Sequence, residues 1–413
     1  MSAKIEIPLD LPEIRIIKTE LSQRQIVITV ESTREWAICA KCGNQIREFH
    51  SYGRLLRLRH LPILGQPVII EIRPKRFRCP TCDNNPTTTQ KLDWYDERSP
   101  NTRAYDQWLL LQLIGSTLAD VARKERTTYD AVLGALYRQI TAEVSWGQIE
   151  QLEILGLDEI ALKKGHRDFV VLVTTRQEEG RLKLLGVLPD RKLETVEKFL
   201  LTIPERLRAT AREVCIDMYE GYASAVKKVL PQTRIVADRF HVAKNYRDCA
   251  DRLRVEVGRE LKGSLSKEEY EGLKGTMWLF RRDPEELNKQ ESEQLALLFE
   301  CAPDLKRAYD LREELTGIFE TDHSKESGTA AIKSWMKSVS NSGLRCFDSF
   351  LTTLENWMDE ITNYFISRQT SGFVEGFNNK VKVLKRRCYG ITNLTHLFQR
   401  LFLDLEGYRF FGL

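Results

Sequence analysis

Between Leu152 and Leu261 the hydrophobic period of the chain switches in a fixed order. Three strand-length runs rich in apolar and β-branched residues come first: LEILGLDEIAL, RDFVVLVTTR and RLKLLGVLP. Their apolar stretches are too short for core helices and long enough for strands. Helix and strand patterns then alternate. ETVEKFLLTI reads as a helix, REVCIDM as a strand, EGYASAVKKVL as a helix, TRIVAD as a strand and RFHVAKNYRDCADRLRVEVGREL as a long helix. Three strands followed by such alternation predict an α/β core built on a mixed sheet.

That order of elements is the order of the ribonuclease-H-like fold, in which the first and fourth strands are neighbours. Asp158 stands on the first strand and Asp217 ends the fourth. Glu375 lies in SGFVEGFNNKVKVLKRRCYG, a glycine-punctuated turn entering a basic helix. A lone Asp at a strand end is usually a polar terminator. Position on adjoining strands, with Glu375 opening a helix beside them, favours a metal-binding triad. Three carboxylates can hold two divalent cations, and two cations can clamp the attacking and leaving oxygens of a phosphodiester. Glu159 and Glu220 are nearby acids that read as solvated. VADRFHVAKN adds Asp238 and His241 where the fifth strand meets its helix. They either support the site or serve as a capping Asp and a core His. Arg239 beside them suits a phosphate contact.

The flanks carry separate signals. Of nine cysteines, four form two Cys-x-x-Cys pairs, Cys39 with Cys42 and Cys79 with Cys82. Such knuckles present two sulfurs from one tight turn, and four soft ligands complete a tetrahedral zinc site. The segment holding them reads as strands, RQIVITVES and QPVIIEIRPKRF among them. His50 and His60 lie between the pairs and read as surface or nucleic-acid-facing residues. From Thr102 to Val144 the pattern is helical. STLADVARKERTTYDAVLGALYRQI reads as helix, short turn, helix, with Ser116 or Thr117 capping the first and Thr127 or Thr128 the second. Leu118, Val121 and Ala122 would face Val132 and Leu136, which is helix-turn-helix spacing. Arg123, Lys124, Arg126, Thr127, Thr128, Tyr129 and Arg138 cluster on its turn and second helix and are the candidate DNA contacts. A plain packing subdomain is the competing reading. Lys262 to Arg368 is strongly helical with no strand pattern, as expected of an insertion that splits the core.

The expected organisation is a multidomain α+β chain: a zinc-ribbon-like β domain at 1–92, a helix-turn-helix domain at 93–148, a ribonuclease-H-like core at 149–261 completed by 369–413, and an all-helical insertion at 262–368. The 413 residues suffice for roughly two to four domains. A net charge of +4 implies little by itself, but its distribution does. Arg47, Arg54, Arg57, Arg59, Arg73, Lys75, Arg76 and Arg78 crowd one segment. Lys380, Lys382, Lys385, Arg386 and Arg387 crowd another in which no acid occurs from Gly376 to Leu403. Local patches of this kind fit phosphate contacts. No apolar run is long enough for a membrane helix and the start MSAKIEIPLD lacks the apolar core of a signal peptide, so a cytoplasmic protein is expected.

In order along nearly the whole chain, the paired cysteines, the helical hairpin, LGLDEIALKKGHRDFVVLV, IDMYEGYASAV, VADRFHVAKNYRDCADRLR and SGFVEGFNNKVKVLKRRCYGITNLTHLFQRL resemble the DDE transposases of the ISL-three family of bacterial insertion sequences. The resemblance implies that Asp158, Asp217 and Glu375 are the catalytic acids, holding magnesium or manganese. It matches Asp238 and His241 to a DRFH box, and Lys163, Lys164, His166 and Arg167 to basic residues after the first Asp. The hairpin segment ARKERTTYDAV is more charged than the family's usual turn. The implied partner is double-stranded DNA, both terminal inverted repeats and target, bound by a homodimer or larger synaptic assembly and by a cytoplasmic protein that joins the nucleoid. A domesticated, non-catalytic DNA-binding regulator and a nuclease that cuts without joining are the alternatives.

Overall fold

The computed structural model describes residues 8–22, 24–162, 169–177, 180–273, 275–369, 372–388 and 390–412, with the side chains of 277 and 372–375 outside the description. The chain divides into two units, one comprising Met1–Ala142 with Gln399–Leu413 and the other Glu143–Phe398.

The first unit begins with nine strands: β1 (Ile14–Leu21), β2 (Ile26–Ser32), β3 (Ala37–Ile38), β4 (Gln45–Ile46), β5 (Glu48–Tyr52), β6 (Leu56–Ile63), β7 (Gln66–Ile72), β8 (Lys75–Arg78) and β9 (Thr87–Thr89). They form a four-stranded sheet in the order β1-β2-β7-β6, a three-stranded sheet β5-β8-β9 and the hairpin β3-β4. Alternation along β2 sends Ile26, Ile28 and Val30 inward onto Val68, Ile70 and Ile72 of β7. The hairpin and the segment after β8 each present a cysteine knuckle. Gly43, at φ +75, closes the first with its N–H on the Cys39 carbonyl at 2.9 Å. Cys39 Sγ lies 3.9 Å from Cys82 Sγ and Cys42 Sγ 3.8 Å from Cys79 Sγ. A ZnS₄ tetrahedron with bonds of about 2.3 Å has edges of about 3.8 Å, so the four sulfurs fit a zinc ion.

Three helices follow: α1 (Arg103–Leu113), α2 (Leu118–Lys124) and α3 (Tyr129–Gln139). Thr102, Thr117 and Thr128 cap them, each accepting a backbone N–H three residues on. Leu118, Val121 and Ala122 pack with Val132, Ala135, Leu136 and Leu403 around Leu109, Leu110 and Leu113. Arg126 turns the chain between α2 and α3 at φ +50. Two sequence readings change here. His60 is 2% exposed and bonds to Thr102 Oγ1 at 2.9 Å and to the Leu9 carbonyl at 3.0 Å, so it is a core residue whose protonation burial disfavours. Arg138 is not a free DNA contact. Its Nε and Nη2 grip the carboxylate of Asp106 at 2.7 and 2.8 Å, and Asp106 is fully buried.

The second unit is built on a mixed sheet of β10 (Glu153–Ala161), β11 (Phe169–Arg176), β12 (Leu182–Leu188), β13 (Ala211–Ile216) and β14 (Arg234–Ala237), in the order β12-β11-β10-β13-β14. β11 runs antiparallel to both neighbours, whereas β13 is parallel to β10 and β14 to β13. α4 (Leu193–Thr202), α5 (Glu205–Arg208) and α6 (Glu220–Val229) cover one face with Val196, Leu200, Leu207, Tyr222 and Val226. α7 (Arg239–Ser264) buries Val242, Tyr246, Cys249, Leu253, Val257 and Leu261 at helical spacing against the other face and the helical segment. That segment comprises α8 (Lys267–Leu273), a 3₁₀ turn at Thr276–Arg281, α9 (Lys289–Cys301), α10 (Pro303–Glu320), α11 (Lys325–Asn341), α12 (Asp348–Asn356), α13 (Met358–Thr362) and α14 (Tyr364–Ser367). α15 (Gly372–Arg387) returns to β10, and α16 (Leu394–Phe411) carries its C-terminal residues into the first unit. No described helix is long and apolar enough to cross a membrane.

Two outcomes are expected from this architecture. Elemental analysis should find zinc bound in equimolar ratio to protein. Cys79→Ser should abolish it and open the 35–90 region to protease, because metal-binding energy is folding energy in such sites. Arg138→Ala should cost about 3–5 kcal/mol in denaturant melts by stranding the buried Asp106 charge, and a change under 1 kcal/mol would sink the structural assignment.

Candidate active site

Strand register assembles the site. Leu157 of β10 pairs with Ile216 of β13, and Ile216 pairs with Ala237 of β14. The next residue in each case is an aspartate: Asp158 within β10, and Asp217 and Asp238 just past the ends of β13 and β14. Neighbouring strands lie about 4.8 Å apart, so three carboxyl groups stand side by side along the sheet. α7 starts at once. Asp238 caps it, accepting the Phe240 N–H at 3.0 Å, and the first turn brings His241 back over the strand ends. His241 Nε2 is 2.8 Å from Asp217 Oδ1 and 3.9 Å from Asp238 Oδ2. Ligand atoms of Asp158, Asp217 and His241 all fall within 4.8 Å of one another.

The electrostatics are those of crowded like charges. The Asp158 carboxyl is pushed up to about 6, first by burial and then by the charge of Asp217. The Glu159 N–H, His241 and Asn378 act in the other direction. Burial alone would lower the His241 imidazole. Its hydrogen bond to Asp217 and the charges of Asp217, Asp238 and Asp158 outweigh that and raise it. Hard, anionic oxygen donors suit a magnesium or manganese ion; the carboxylates of Asp158 and Asp217 would hold it.

α15 contributes Asn378, which donates from Nδ2 to Asp158 Oδ2. Asn378 is 7% exposed, and its Oδ1 has no hydrogen-bond partner among the described residues. Sequence reading passed over it, although it follows Glu375 by three residues and so shares its helical face. Glu375 itself lies in the first turns of α15, with its side chain outside the described residues. Lys163, Lys164, His166 and Arg167 also lie outside them. Lys385 donates to the Ala161 carbonyl on β10, which ties α15 to the sheet instead of leaving the ammonium free. Glu159 is not a solvated acid: Arg191 binds it at 3.1 Å and the Tyr222 hydroxyl at 3.3 Å, with 14% of its side chain exposed. Glu220 is exposed, as read. Arg239 pairs with Glu320 at 3.3 Å. Arg123, Lys124, Arg126, Thr128 and Tyr129 are exposed in the first unit, and Lys380, Lys382, Arg386 and Arg387 on α15.

The raised Asp158 carboxyl has a definite sign. Folding favours its protonated form, so its contribution to stability is present below the unfolded value near 4 and is lost as pH rises through about 6. In metal-free protein, Asp158→Asn should therefore match wild type near pH 4.5 and melt a few degrees higher at pH 7.5. Magnesium should stabilise wild type at pH 7.5 and leave the variant unmoved. Equal melting at both pH values would contradict the crowding argument.

Residues 155–401 match the sequence profile of a family described as "Transposase", and residues 35–82 match one described as "zinc-finger of transposase IS204/IS1001/IS1096/IS1165". The "Transposase for insertion sequence element IS1001" of Bordetella parapertussis is 27% identical over 385 residues, spanning 93% of this chain and 92% of that one. The "Transposase for insertion sequence element IS1557" of Mycobacterium tuberculosis is 23% identical over 393 residues, 90% of this chain and 86% of its own. Among solved structures, the "Drosophila P element transposase strand transfer complex" aligns at a TM-score of 0.40 and 10% identity over 75% of this chain and 93% of that one, too distant a likeness to bear on the fold. The first profile spans more than half of the residues and takes in both Asp158 and Asp217, and the second takes in all four knuckle cysteines; the chain therefore belongs to the ISL-three family of DDE transposases.

Proposed function

We propose that this transposase binds the terminal inverted repeats of its insertion sequence, cleaves DNA at the element's ends and transfers the freed 3′ ends into target DNA. The observation that carries the reading is the convergence of Asp158, Asp217 and His241 within 4.8 Å where the parallel β10–β13 ladder ends. The sheet order, with an antiparallel β11 and parallel β10, β13 and β14, supports a ribonuclease-H-like core. Helical periodicity puts residue 375 on the face of α15 that carries Asn378, which supports Glu375 as the third acid.

When bound at these acids, divalent cations supply positive charge to the attacking and leaving oxygens of the phosphodiester. Asp158 and Asp217 hold that charge in register with the strand ends. Asn378 orients Asp158 through its amide N–H. His241, whose protonated form the charges of Asp217 and Asp238 favour, bonds to the Asp217 carboxylate through Nε2 and would meet phosphate charge. Cys39, Cys42, Cys79 and Cys82 would hold a structural zinc ion. α2 and α3 act as a helix-turn-helix in which Arg123, Lys124, Arg126, Thr128 and Tyr129 meet DNA, and Lys380, Lys382, Arg386 and Arg387 of α15 contact phosphates. Two ends need two active sites, so the working form is a dimer or a larger synaptic complex on DNA.

The test is cleavage and strand transfer on a labelled duplex carrying the element's end, in magnesium. Glu375→Gln and Asp217→Asn should each lower both steps at least 10³-fold, a loss of about 4 kcal/mol, with gel-shift binding intact. Either variant joining ends at the wild-type rate would falsify the triad. For the basic helix, Lys382→Gln with Arg386→Gln should weaken all duplexes alike. It should also flatten the slope of log K against log salt by about 2. An unchanged slope would remove α15 from the phosphate contacts.

A further inference from the structure

We propose that the outer face of α7 is a track for an unpaired DNA strand leading away from the catalytic acids. This rests on the reading of the site as a transposase centre. The track starts at the site itself. Phe240 is 43% exposed, and its ring lies 5.6 Å edge-on from that of His241. The Arg247 guanidinium sits 5.4 Å over Phe240. Lys244, Arg247, Arg254, Arg259 and Lys262 continue along the helix in one broad stripe, opposite the buried residues Cys249, Leu253 and Val257. Among the described residues, Lys244, Arg247, Arg259 and Lys262 form no ion pair. Asp248, also without an ion pair among the described residues, is an acid on the same stripe.

The far end holds a second aromatic platform. Trp278 is 61% exposed although two guanidiniums lie against it, Arg281 at 4.7 Å and Arg254 at 5.7 Å. Asp251 holds both, accepting Arg254 Nε at 3.1 Å and Arg281 Nε at 2.9 Å. Its charge is thereby spent inside the platform. Arg254 is fourteen residues from Phe240, about 21 Å along the helix. A cavity of about 390 Å³ opens beside Phe240, Lys244, Arg247 and Arg281, and one of about 280 Å³ beside Arg259, Lys262, Tyr270 and Trp278.

The chemistry selects the occupant. Free cations along a stripe call for a polyanion. A duplex would satisfy them with phosphates alone and hide its base faces. Two exposed rings at the ends of a basic stripe gain only from bases that are unpaired, by stacking. Single-stranded DNA therefore fits where a duplex leaves both rings uncovered.

The experiment uses the full chain without magnesium and a fluorescein-labelled oligothymidylate of about 16 nucleotides, with a duplex of equal length and unrelated sequence in parallel. Trp278→Ala should weaken oligothymidylate binding about 5- to 150-fold, the worth of one base–aromatic stack. Duplex binding should be unchanged, and Trp278→Phe should recover most of the loss. Arg259→Gln with Lys262→Gln, both on the surface, should flatten the salt slope for the single strand by about 1.4. This pair keeps the test decisive if Trp278→Ala does not fold. Unaltered oligothymidylate binding in these variants overturns the track, as does equal loss of duplex and single strand, which would make the face a duplex surface. An enzyme that cleaves element ends but ignores oligothymidylate overturns the track alone. One that binds oligothymidylate through Trp278 yet never cleaves overturns the catalytic reading alone.

Discussion

Repulsion between carboxylates where the parallel ladders of β10, β13 and β14 end is the constraint on which the second unit turns. Asp158, Asp217 and Asp238 each follow the last residue of one paired row, Leu157, Ile216 and Ala237. Nothing in strand propensity favours three acids there, and the burial of Asp158 makes the charge costly. The fold offsets that cost from three directions: the cap at Asp238, the imidazole of His241 and the amide of Asn378. Each comes from an element leaving or returning to the sheet edge. In the proposed reading a divalent cation would complete the balance.

α7 carries two loads at once. Its inner stripe, from Val242 to Leu261, joins the sheet to the helical segment through Tyr246, Trp335, Phe347 and Phe350. Its first turn delivers His241 to the acids. A helix anchored along 26 residues holds that first turn with little freedom, so packing far from the acids fixes where His241 stands. The first unit solves a different problem. Its cysteine hairpin has a small core, Ala37, Ile46 and Phe77 with the thiols, and metal coordination substitutes for missing apolar burial.

Much of the element plan was legible from periodicity. The strand and helix runs from Leu152 to Leu261 appear where their patterns lie, and Thr117 and Thr128 cap the helices they precede. The misreadings share one cause. His60, Arg138, Glu159 and Lys385 are ionisable residues, and a reading of the sequence treats such residues as exposed. Each instead meets a partner distant in sequence: Leu9, Asp106, Arg191 or Ala161. Asn378 escaped notice for the same reason, since its partner lies 220 residues away.

The sequence by itself determined what is local. It set which segments alternate with period 2 or 3.6, where caps and knuckles fall, and which acids stand at strand ends, because backbone hydrogen bonding and side-chain direction act over a few residues. Tertiary structure decided what is relational. Strand register aligned Asp158 with Asp217, the return of α15 set an amide on Asp158, and packing turned some charges inward while leaving the stripe on α7 open. Those outcomes depend on contacts between residues far apart in the chain, and no periodicity encodes them.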